Sequence, residues 1–81
     1  MEAPITRHER TVLRAIAEFL DTKPPVCPLE RDLVGATGLA EEDVTEALRS
    51  LERLDYIVVG QPALGGRGEV THLTRSGQHH L

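Results

Sequence analysis

Residues 28–55, PLERDLVGATGLAEEDVTEALRSLERLD, set a glycine between two stretches of helical periodicity, and this restricts the fold more than any other feature. Pro28 suits the opening position of a helix, where its missing N–H would have had no partner anyway. Leu29, Leu33 and Ala36 then fall on one side of that helix. Gly38 offers the left-handed conformation on which helices commonly end, and Leu39 is the apolar residue that follows such a cap. From Glu41 to Asp55, Val44, Ala47, Leu48, Leu51 and Leu54 recur at helical spacing. Two short amphipathic helices joined by so tight a turn must cross and bury their apolar faces in one core.

A helix is also expected before this pair. Thr6 followed three residues later by Glu9 is a capping box, so the helix starts at Arg7. Val12, Leu13, Ile16, Phe19 and Leu20 form its apolar face. The paired prolines of DTKPPVCP end it, and Val26 and Cys27 are read as a very short strand. After the third helix, YIVV is β-branched and reads as a strand, PALGGRG as a hairpin loop and EVTHLT as the returning strand. Thr74 is placed to cap a last helical turn. The expected class is α+β, mostly α: three helices followed by a two-stranded hairpin, in a single domain over 1–81 with its core in about 7–77. Val12, Ile16, Leu20, Leu33, Val44, Leu48, Leu51, Ile57 and Leu73 are the expected core.

Composition narrows the function classes. Phe19 and Tyr56 are the only aromatic residues, which argues against modules that stack single-stranded bases on aromatic platforms. The lone Cys27 excludes an internal disulfide and a cysteine-based zinc site, and it suits a reducing cytoplasm. No apolar run approaches membrane-spanning length, and MEAPITRHER lacks a signal-peptide core. No serine, histidine and acid set and no phosphate-binding loop stands in a supporting context, so neither an enzyme nor a cofactor is expected. His72, His79 and His80 read as a polar tail rather than a metal site. Cys27 reads as a small buried side chain, with a redox-sensing thiol as the alternative. The formal net charge of −4 opposes a whole-surface attraction to nucleic acid but permits a local basic patch.

LVGATGLAEEDVTEALRSLERLDYIVV, followed by a glycine-rich hairpin and LTRSG, resembles the winged helix-turn-helix domains of bacterial transcription regulators such as the MarR and ArsR types. The resemblance runs from about Arg7 to Gly77. It implies that the third helix (41–55) and the wing (57–73) form a contact surface for double-stranded DNA. Winged helices also serve as protein-docking modules, so fold alone does not choose between these partners.

The DNA-contact candidates are Thr45, Arg49 and Arg53 on the third helix, Arg67 at the wing tip and Arg75 after the second strand. Arginine can read guanine bidentately or bind phosphate. Glu42 and Glu46 share the outer face with Arg49 and Arg53, making it charge-neutral, and they could read cytosine or dock a protein. Glu41, Glu42 and Asp43 open the helix. Acids there complement the macrodipole and offset the missing hydroxyl at Ala40, yet they occupy the place where a phosphate would dock. Glu46 is within reach of Arg49 or Ser50 on its own helix. On the first helix Arg7, Arg10 and Arg14 precede Glu18 and Asp21 along one stripe, an order opposed to the macrodipole; the stripe reads as a solvated face, with a partner surface at the three arginines or salt bridges across the domain as the alternatives. The expected oligomeric state is a monomer or a weak homodimer through the first helix.

Overall fold

The computed structural model describes residues 5–60 and 68–81. In chain order the elements are α1 (Arg7–Leu20), α2 (Glu30–Thr37), α3 (Glu41–Arg53), β1 (Ile57–Gly60), β2 (Glu69–Leu73) and α4 (Arg75–Gln78). Among the described residues the architecture is α+β and mostly helical: four helices with a two-stranded antiparallel hairpin.

The capping box at the head of α1 forms as expected. Thr6 Oγ1 accepts from the Glu9 N–H at 3.1 Å, and the Glu9 carboxylate accepts from the Thr6 N–H at 2.9 Å. The helix α2 starts later than Pro28. Leu29 is its N-cap, and Asp32 reaches back to accept from the Leu29 N–H at 2.9 Å. Pro28 is held outside the helix because its carbonyl accepts from the Val70 N–H of β2 at 2.9 Å. Val26 and Cys27 form no strand: the Val26 N–H turns back to the Phe19 carbonyl at 3.1 Å. Gly38 closes α2 at φ 72°, donating to Val34 O at 3.0 Å, as a left-handed cap should.

The core lies between α1, α2, α3 and one face of the hairpin. Val12, Leu13, Ile16, Leu33, Val44 and Leu51 are completely buried, and Ile57 and Val70 come up from the strands. Three expected core residues sit at its margin instead, since Leu20, Leu48 and Leu73 are only partly buried against it. Ala36 is exposed, because α2 turns Leu33 and Val34 toward its neighbours. Tyr56 joins the core in their place at 4% exposure, its ring 4.6 Å from that of His80.

The hairpin pairs Ile57 with Leu73 and Val59 with Val70, with an irregularity between Val58 and Val59. The extra residue on β2, Thr71, bonds through its hydroxyl to Val58 O at 3.2 Å. The helix α3 stops where Asp55 adopts φ 63°, a left-handed conformation that aspartate tolerates better than most residues. That corner is tied down by Thr74, which donates to Asp55 O at 2.7 Å and caps α4 by accepting from the Gly77 N–H at 3.0 Å. No helix among the described residues is long and apolar enough to cross a membrane.

Candidate functional site on the third helix and hairpin

The register of α3 follows from its apolar positions. Val44, Ala47 and Leu51 are buried, so Glu42, Glu46, Arg49 and Arg53 point outward, and all four are exposed. Ala40 is the N-cap, with φ −65° and ψ 150°, and it makes no side-chain cap bond. Glu41, Glu42 and Asp43 therefore stand over uncapped N–H groups at the positive end of the helix dipole.

Charge on α3 is more lopsided than its outward stripe alone. Glu52 is also exposed and lines the groove between α3 and the hairpin with Arg49, Thr45, Leu48 and Val59. Counting the flanks, Glu41, Glu42, Asp43, Glu46 and Glu52 stand against Arg49 and Arg53. Helical projection at 100° per residue places Glu52 at the edge of the exposed arc, so the signal was in the sequence, but only the neighbouring hairpin makes that edge part of a groove.

Thr45 is turned partly inward. Its hydroxyl lies against the carboxylate of Glu30 at the start of α2, and 3.0 Å from Glu41 O. Glu30 is buried to 8% exposure and Thr45 is half-buried, and both line the groove between α3 and the hairpin, so this bond ties α2 to α3 along that groove. Sequence reasoning missed Glu30 because its partner lies fifteen residues away on another helix.

A second groove separates α3 from the head of α1. Arg7, Glu9, Asp43, Glu46, Ser50 and Arg53 are among the residues that line it. Glu9 is buried to 7% exposure. Burial pushes its carboxyl up, but the Thr6 N–H, the hydroxyls of Ser50 and Thr6 and the nearby Arg53 guanidinium hold it below its usual value. Ser50 thus serves α1, where local spacing had paired it with Glu46.

Of the remaining candidates, Arg75 is exposed at the start of α4 and lines neither groove beside α3. Arg67 lies outside the described residues. Arg7, Arg10 and Arg14 are all exposed along α1. Cys27 is half-buried, and no group of three or more His, Cys, Asp or Glu is placed to hold a metal ion among the described residues. The sequence matches no protein-family model and no curated protein.

Proposed function

We propose that this chain is a winged helix-turn-helix module of the transcription-regulator kind, and that it meets double-stranded DNA through the later turns of α3 and the hairpin. The element order supports the reading: α2, the left-handed turn at Gly38, α3, and then an antiparallel hairpin anchored by the Pro28–Val70 bond. The observation that carries the DNA assignment is the exposure of both Arg49 and Arg53 on the outward face of α3. Arg49 lies about 10 Å along the helix axis from Glu42, clear of the acidic first turn. Contact is therefore shifted toward the C-terminal half of α3, with Arg67 supplying a third cation from the wing. With the inward-turned Thr45 contributing little, binding is driven mainly by phosphate neutralisation and carries modest sequence preference.

The test is a titration of the protein with random-sequence duplex at low salt, followed by NMR. Amide shifts should concentrate in the second half of α3 and in the hairpin. If three arginines neutralise phosphates, log K falls with log salt at a slope near about −3, at about −0.9 per contact. Removing Arg67 should make the slope shallower by about one unit. Glu42→Gln with Glu46→Gln should tighten binding.

The five acids of α3 favour a second reading, in which the same face docks a basic protein segment. Absence of any shift in α3 or the hairpin at high DNA concentration would overturn the DNA reading in favour of docking. In that case the two Gln changes weaken a protein complex and leave DNA unbound.

A further inference from the structure

A groove runs between the C-terminal half of α1, the strand β2 and the end of α4. It has a volume of about 800 Å³, room for several side chains, and shares no residue with α3. Its floor is apolar. Ala17 and Leu20 of α1 and Leu73 of β2 are half-buried there, and both leucines rest on the core. Leu81 lines the groove with 46% of its surface exposed. The Leu81 N–H donates to the Gln78 carbonyl at 3.3 Å, which ties this residue to the end of α4. An apolar strip left open to water and rimmed by polar groups marks a contact with something outside the fold.

The two sides of the rim differ in charge. On the α1 side stand Glu18 and Asp21, both exposed. Across from them His72 Nδ1 lies 3.1 Å from the Thr71 hydroxyl, and Gln78 continues that edge. No lysine or arginine among the described residues lines the groove; Arg14 and Lys23, the nearest along the chain, stand outside it. The last turn of α1 contains no basic residue, so the two carboxylates add to the negative end of the helix dipole.

We propose that this groove docks a basic amphipathic segment of another protein, with its apolar side chains on the leucine floor and its Lys or Arg side chains on Glu18 and Asp21. The floor disfavours a partner that is charged all round, and the acids disfavour an acidic segment or a nucleic acid. Apolar anchors at i, i+3, i+4 and i+7 of such a segment supply most of the affinity. The exposed ion pairs add little binding energy and are screened by salt, but they choose the sign of the partner. The proposal goes beyond the DNA reading and does not rest on it, because Arg49 and Arg53 belong to α3.

NMR titration of the isotope-labelled chain with synthetic peptides tests this. The probe is an amphipathic helix of about 14 residues made of Leu, Ala and Lys, with Leu at the anchor spacings. The comparator carries Glu in place of every Lys. The Lys peptide should shift the amides of residues 17–21, 71–73 and 78–81, and the Glu peptide should shift none of them. Glu18→Gln with Asp21→Asn should weaken binding of the Lys peptide about threefold to tenfold. Leu81→Ser should weaken it about fivefold, through apolar area no longer covered. Circular dichroism checks that both variants keep their helices. Shifts collected on α3 in place of the groove, equal binding of the Glu peptide, or unchanged affinity in both variants would each overturn the proposal. So would a dimer of the chain alone, seen by sedimentation, that Leu81→Ser abolishes, since the groove would then hold a second copy. Duplex DNA should leave the amides of residues 17–21 and 78–81 unmoved, so a chain that binds DNA but not the Lys peptide overturns this proposal alone.

Discussion

The Thr45 hydroxyl lies against the buried Glu30 carboxylate, joining α3 to α2 at the groove beside the hairpin. Thr45 therefore works in the fold as well as standing near a candidate interface. Thr45→Val keeps the shape and removes the hydroxyl. It should lower stability by about 1–3 kcal/mol, the usual cost of depriving a buried charged acceptor of a donor. Denaturant titration measures this, and DNA affinity of the folded variant should change less than twofold or so if phosphate contacts dominate. A large loss of DNA affinity without loss of stability would return Thr45 to the interface.

Leu48 and Leu51 separate core from margin on α3. Leu51 is completely buried, whereas Leu48 is half-buried at the groove facing Val59 and Val70. Leu51→Ala should cost about 2–5 kcal/mol. Leu48→Ala should cost roughly half of that or less, because the vacated space opens to water and less apolar area was removed from it. Equal shifts in the denaturant midpoint would mean that α3 is rotated relative to the register described.

Glu9 makes stability depend on pH in a defined direction. Its folded pKa is lowered, so the stabilisation is present above the ordinary carboxylate value of 4.5 and is lost as pH falls through the folded value. Glu9→Gln should be less stable than the natural chain at neutral pH, and the gap should narrow as the pH drops below 4.5. Thermal melts of both proteins between neutral and acidic pH provide the check. A gap that is constant with pH would show that the carboxylate's charge contributes nothing.

Gly77 sits where α4 presses against the corner after α3. A Cβ there would collide with the Tyr56 carbonyl and crowd the Leu73 side chain at 3.0 Å. Alanine would otherwise favour helix, so Gly77→Ala isolates the clash from propensity. The expected loss is about 1–3 kcal/mol, with the Thr74 cap weakened. Faster exchange of the amides of residues 74–78 should accompany it, whereas unchanged stability would mean that α4 is not docked on Tyr56.

The short-range features were legible from sequence alone because each depends on residues within a few positions of one another. The Thr6–Glu9 capping box, the left-handed Gly38, the uncapped acidic start of α3 and the Thr74 cap of α4 all follow from backbone groups that a helix end leaves unsatisfied. The strands around Ile57 and Val70 were legible from the β-branched run YIVV and from EVTHLT returning after a glycine-rich stretch. Tertiary structure decided what periodicity leaves open. An apolar stripe does not say where its edge meets solvent, so Leu48 fell to the margin and Tyr56 entered the core. Nor can local spacing assign a hydroxyl or carboxylate that has partners on two helices. Ser50 turned from Glu46 to Glu9, and Thr45 from the surface to Glu30, because helices that cross closely bury polar groups, and a buried carboxylate must find a donor.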